Sequence, residues 1–114
     1  MVIQRGDVFW AQIGPAHGSE PAHRRPVVVV QRNAINQSRF NTVVVVPLTS
    51  QLRHSHLPGN VRLRKDEANI PKASLARATH VTVLDKIRLV EKIGTLSRER
   101  LNEIVAAVCW VVGQ

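Results

Sequence analysis

The sequence predicts a mainly β protein: a small, strongly bent antiparallel sheet or barrel with one helix packed on it. Three observations carry that expectation. Two unbroken valine runs, at 27–30 and 43–46, have the apolar continuity of strands covered on both faces. Other short segments rich in β-branched residues are separated by Gly, Pro, Asn and Ser. Only in the last stretch of the chain does the apolar spacing become helical.

The elements follow in order. Residues 5–13 form a first strand, with Val8, Trp10 and Gln12 on one face and Phe9, Ala11 and Ile13 on the other. Gly14-Pro15 ends it and opens a loop through residue 24, long enough to suggest a working role. Pro26–Gln31 is the second strand. Proline is tolerated at a strand's start, which places Arg25 at the boundary. Residues 33–41 are a turn or one short helical turn. Thr42–Leu48 is the third strand, with Pro47 marking a bulge or its end.

A second loop, 51–60, carries Arg53, His54 and His56. Val61–Arg64 alternates like a half-exposed strand, and 65–72 turns. Ser74–Ala76 and Thr79–Leu84 are short strands, with Val81 and Val83 on one face of the latter. A connector leads to a last strand at Leu89–Ile93, before Gly94. Ser97 then caps the helix, and Leu96 and Leu101 have the spacing of a hydrophobic staple. Leu101, Ile104, Val105, Val108, Val111 and Val112 form its apolar stripe. Arg100 stands where a glutamate would complete a capping box. Cys109 and Trp110 lie off the stripe, where they can cover a strand or a second subunit.

With 114 residues there is room for one domain, 1–114, and 44% apolar content excludes a disordered chain. A domain this small gains from burying surface in a homodimer. Sixteen Lys and Arg against eight Asp and Glu give +8, spread from Arg24 to Arg100 without a basic tail. That balance suits a polyanion partner, nucleic acid first. The single Cys109 permits no internal disulfide and fits a reducing cytoplasm, where it acts as a small packing residue. Arg5 and Asp7 interrupt any secretory signal, and no apolar run approaches the roughly 20 residues that span a bilayer. A cytoplasmic protein without membrane contact is expected.

The chemistry concentrates around Arg25. A guanidinium and the Thr49 hydroxyl at the ends of adjacent strands make a phosphate site. Cleaving RNA without a metal requires a base for the ribose 2′-OH, charge stabilisation at phosphorus, and an acid for the leaving 5′-oxygen. Arg25 suits the second task, and its high pKa unfits it for the first. Thr49 can donate to the same phosphate. Glu20 in the preceding loop is the carboxylate for proton transfer or for orienting Arg25. Each has a structural alternative: Arg25 pairing with Glu20 or finishing a strand, and Thr49 satisfying a backbone amide in a turn.

His17, His23 and His80 can also lie near this mouth as acid or base, or touch RNA and water. His54 and His56 share a side if their segment is extended, but a third ligand at familiar spacing is lacking, so no metal is assigned. Arg24, Arg53, Arg62, Arg64 and Arg77 suit phosphate contacts along a groove. The residues expected at RNA are His17, Ser19, Arg24, Gln51, Arg53, His56, Arg77 and His80. Aromatics are few, namely Phe9, Trp10, Phe40 and Trp110, which argues against an aromatic-platform RNA binder.

Five stretches in order resemble the MazF/PemK family of toxin endoribonucleases: Arg5-Gly-Asp-Val-Phe-Trp10, Gly18-Ser-Glu20 with Arg24-Arg-Pro-Val27, Val46-Pro-Leu-Thr-Ser50, Val83-Leu-Asp-Lys86, and Lys92-Ile-Gly-Thr-Leu96. The resemblance covers nearly the whole chain. It implies an SH3-like barrel of antiparallel strands and a homodimer, in a toxin that cuts single-stranded RNA without metal or other cofactor. It implies Arg25, Thr49 and Glu20 as catalytic residues, and a cognate antitoxin whose acidic, flexible tail occupies the RNA groove. At Thr79-His80 the sequence departs from the polar pair common in the family, so no cleavage sequence is carried over. Two other functions compete: a CcdB-like inhibitor of DNA gyrase, which lacks the Arg-Pro and Thr pair, and a plain RNA-binding barrel.

Overall fold

The computed structural model describes residues 1–13 and 23–113. Seven strands and two helices follow in chain order: β1 (Asp7–Ile13), β2 (His23–Val29), α1 (Asn33–Asn36), β3 (Thr42–Thr49), β4 (Asn60–Leu63), β5 (Ser74–Arg77), β6 (Thr82–Asp85), β7 (Leu89–Thr95) and α2 (Arg98–Val111). Single 3-10 turns punctuate the loops at Leu52–His54, Glu67–Asn69, Ala78–His80 and Lys86–Arg88. All recorded strand pairs are antiparallel, in the order β4-β5-β3-β2-β1-β7, with β6 also on β3. The bent antiparallel sheet with a C-terminal helix is as expected. The ladder does not close between its end strands β4 and β7.

The valine runs behave as an apolar run covered on both faces must. Val8, Val28 and Val46 lie opposite one another across β1, β2 and β3 and join a core with Leu48, Leu63, Ile70 and Ile104 of α2. Their alternates Phe9, Val27, Val29, Val43 and Val45 build a second core on the other face. Val27, Val28 and Val29 are all fully buried. Each such side chain contributes about 1.5–3 kcal/mol of burial.

Several boundaries differ from expectation. β2 begins at His23, so Pro26 sits inside the strand opposite Trp10. It is tolerated because the ladder to β3 stops at Val27↔Pro47, just before a backbone with no N–H to give. Pro47 likewise lies within β3, where that strand passes from β2 to β5. Thr79 belongs to a 3-10 turn, β6 starts only at Thr82, and Val83 faces solvent at 56% exposure. On the helix, Val112 lies past the last turn and is exposed, and so is Cys109, which is therefore no packing residue. Among the described residues no helix is long and apolar enough to cross a membrane.

The turn after β4 bridges the open side of the sheet. Asn69 Nδ2 donates to the Ile93 carbonyl of β7 at 3.2 Å. Glu67 takes the Arg100 guanidinium in a two-pronged grip, Nε to Oε1 at 2.8 Å and NH2 to Oε2 at 3.0 Å. This explains the incomplete capping box. Ser97 Oγ still accepts from the Arg100 N–H at 3.2 Å, while the Arg100 side chain anchors the turn instead of closing the cap.

Burial pushes the Glu67 carboxyl up, but the Arg100 hydrogen bonds, the Arg64 N–H and the two guanidinium charges outweigh it and hold the group below its ordinary 4.5. A depressed carboxylate stabilises the fold above its unfolded pKa and loses that contribution as pH falls through the folded one. Glu67→Gln is therefore expected to cost about 1–2 kcal/mol at neutral pH. Urea titrations at several pH values check it: the gap to wild type should shrink below about pH 4.5. A gap that does not depend on pH refutes it.

Candidate active site at a fork in the sheet

The two prolines that end the β2–β3 ladder open the sheet. Beyond Val27↔Pro47, the first half of β2 stays paired with β1 through Arg25↔Ala11, Arg24↔Gln12 and His23↔Ile13. The last residues of β3 stay paired with β5 through Leu48↔Ala76 and Thr49↔Leu75. Had the β2–β3 register continued, it would set Arg25 opposite Thr49. Instead the strands part, and a pocket of about 320 Å³ fills the fork. Arg25 and Thr49 both line it, so the guanidinium and the hydroxyl expected at one phosphate do reach one cavity.

Each group is held by a local bond. Arg25 Nε donates to His23 Nε2 at 3.2 Å. The Gln51 N–H donates to Thr49 Oγ1 at 3.2 Å. That is the turn contact anticipated as the structural alternative, and it is compatible with a working role. With a lone pair occupied, the hydroxyl proton is left to donate outward. Arg24 and Lys72 add cations to the lining, and no carboxylate lines it among the described residues. Such a pocket attracts an anion, and its donors match phosphate oxygens.

The other expected residues divide. His17, Ser19 and Glu20 lie outside the described residues. Arg24, Gln51 and His23 line the pocket. Arg53, His56 and His80 are exposed but do not line it. Arg53 Nε donates to His54 Nε2 at 3.2 Å, and His80 Nδ1 lies 2.9 Å from Thr79 Oγ1. His54 and His56 sit on a 3-10 turn and its exit, so the extended geometry that would pair them does not form. Among the described residues no group of three or more His, Cys, Asp or Glu converges as a metal site. Arg62 is exposed on β4, and Arg64 lies 3.8 Å from Glu67. Arg77 lines a separate groove with Leu57, Pro58 and Trp110. Sequence reasoning missed Trp10, Lys72 and Ser74 as pocket residues. Their segments carried strand and turn signals but nothing to say which edge they meet.

A bent antiparallel sheet whose fork presents a guanidinium, a hydroxyl and further cations defines a small anion-binding protein suited to phosphate oxygens. Comparison with known proteins narrows that class. Residues 4–112 match the family described as PemK-like, MazF-like toxin of type II toxin-antitoxin system. The chain is 36% identical over 104 residues to endoribonuclease MazF2 of Mycobacterium bovis, covering 91% of each. Among solved structures, a mycobacterial endoribonuclease in complex with its cognate antitoxin has a TM-score of 0.78 at 24% identity, over 97% of this chain and 95% of that one. A MazE–MazF complex from Deinococcus radiodurans gives a TM-score of 0.80 at 23% identity, over 100% and 98%. These two likenesses establish the fold. The chain belongs to the PemK/MazF toxin family.

Proposed function

We propose that this endoribonuclease, acting as one 1–114 toxin domain, cleaves single-stranded RNA without a metal ion, using the ribose 2′-OH as nucleophile. The observation that carries the reading is that Arg25 and Thr49 line one pocket, with Arg24 and Lys72 beside them. A base removes the 2′-OH proton, and the 2′-oxygen attacks the adjacent phosphorus. The P–O5′ bond breaks as an acid delivers a proton to O5′, leaving a 2′,3′-cyclic phosphate and a 5′-hydroxyl. Arg25 and Thr49 stabilise the charge that builds on the non-bridging oxygens. Glu20 is assigned to proton transfer from its place in the chain. His23, in contact with Arg25, is the second candidate. Arg24 and Gln51 hold the flanking RNA in the pocket, with His17, Ser19, Arg53, His56, Arg77 and His80 as contacts further along the strand.

In the cytoplasm, the toxin blocks translation by this cleavage until a cognate antitoxin binds. An acidic, flexible antitoxin tail complements both the +8 charge and the basic pocket. The active form is a homodimer. Exposed Phe40 and Ile87 adjoin, in sequence, the Asn41 and Lys86 backbones that hydrogen-bond at the entry to β3 and the exit of β6, apolar surface that a second copy would cover. Sedimentation velocity tests this point, and a monomer refutes it.

For the reaction, purified protein is incubated with a long single-stranded RNA in EDTA and the new ends are mapped. Discrete cuts bearing 5′-hydroxyl ends are expected. Intact RNA sinks the proposal. In that case, inhibited DNA supercoiling would favour a gyrase poison, and retained but uncut RNA a plain binder.

A further inference from the structure

We propose that Trp10 and Lys72 form a nucleotide seat beside the scissile phosphate, the indole stacking one nucleobase and the ammonium holding an adjoining phosphate. The inference rests on the endoribonuclease reading of the same pocket and assigns it a substrate subsite.

Trp10 is an aromatic inside a strand, and neither core uses it. Its strand neighbours Phe9 and Ala11 are fully buried in the second core, whereas Trp10 is half-buried and belongs to neither core cluster. The β1–β2 register sets it across from Pro26, next to Arg25. It thereby lines the pocket that Arg25 and Thr49 share. Lys72 arrives from the opposite side, on the turn before β5. The buried Ser74 hydroxyl donates to the Lys72 carbonyl at 2.9 Å and fixes that backbone at the pocket wall. Pro26, Leu48 and Pro71 supply apolar wall around them.

Size and chemistry agree on the occupant. About 320 Å³ lies at the small end of ligand pockets, room for one nucleotide rather than a run of them. Flat apolar surface between cations matches a base attached to phosphates. Stacking is indifferent to base identity, so the seat should add affinity and leave the choice of sequence to other contacts.

The test uses the full chain and an RNA oligonucleotide spanning a cleavage site mapped with the wild type. A 2′-O-methyl group at the attacking position prevents cutting. Trp110→Phe leaves Trp10 as the only indole, so its emission reports the pocket directly. Quenching on titration with this oligonucleotide is expected. Trp10→Ala should raise KM for the cleavable RNA by about 5- to 100-fold, with kcat changed by less than about twofold and the cut sites unchanged. Trp10→Phe should retain most of the affinity. Lys72→Ala should weaken binding and flatten the slope of log Kd against log salt by about 0.7, one phosphate's worth on a single strand.

Absent quenching overturns the seat, as does wild-type KM in Trp10→Ala, or quenching by an acidic peptide but not by RNA. Should Trp10→Ala fail to fold, the emission of the native Trp10 decides. If the wild type cuts no RNA, the reading of the pocket falls and the seat with it. If it cuts and Trp10 proves silent, only the seat falls.

Discussion

Arg25→Ala should lower the cleavage rate by about a thousandfold or more, the scale on which a transition-state guanidinium matters in phosphoryl chemistry. The fold should survive. Arg25 is exposed, and β2 is held to β1 at this position by backbone pairing. Its side chain's recorded bond is the one to His23. Stability should therefore change by no more than about 0.5 kcal/mol. Arg25→Lys should recover little, because an ammonium keeps the charge but loses the fork that spans two phosphate oxygens. Thr49→Val should cost less, on the order of a hundredfold, since one neutral donor is removed from the pocket. Initial rates on labelled RNA in EDTA, with melting curves beside them, separate lost chemistry from lost fold. An Arg25→Ala protein cutting at the wild-type rate would remove the guanidinium from the mechanism.

Gly94→Ala should be the most damaging small change to stability. A Cβ there would clash with the Ala68 carbonyl oxygen and lie 2.7 Å from its carbon, both of them backbone atoms. Something must move, and the turn has little freedom to retreat. Asp66, Ala68 and Asn69 already hold left-handed φ of 75°, 48° and 61°. The turn is pinned to β7 by the Asn69–Ile93 bond and to α2 by Glu67–Arg100. Overpacking against so constrained a backbone should cost about 3 kcal/mol or more, a fall of roughly 12–20 °C in Tm for a domain this size. Ala68→Gly provides the control. It relieves the left-handed strain but leaves the carbonyl in place, so it should not rescue the double variant. An unchanged Tm for Gly94→Ala would show that the turn yields easily and that its grip on β7 matters little.

Much of this molecule is legible residue by residue. The valine runs announce doubly covered strands because every side chain in them is apolar, and the two core faces follow from the period of two. Ser97 and the apolar spacing after it announce α2, since cap and stripe are local signals. Reading Arg25 and Thr49 as meeting at one opening between neighbouring strands also succeeds, because both lie next to runs whose burial is hard to misjudge, although Arg25 sits within β2 and not at its end.

What fails is anything that depends on partners. Pro26 reads as a strand start, yet it lies mid-strand, because whether a missing N–H matters depends on which edge is paired. Arg77 reads like Arg24, one more cation in a basic chain. The end of β5 nevertheless carries it to the groove beside Trp110, while the start of β5 brings Ser74 to the fork that Arg25 and Thr49 line. Trp10 and Lys72 give no local sign of sharing a pocket.

By itself, then, the amino-acid order determined the strand-forming runs, the capped helix and the positive charge, the first two set by interactions within a few residues. The tertiary structure alone decided where the ladder splits, which side chains line the opening, and that a left-handed turn locks the sheet's open side. Those outcomes are contests between hydrogen-bonding edges far apart in the chain, and only the assembled sheet settles which pairs form and where they stop.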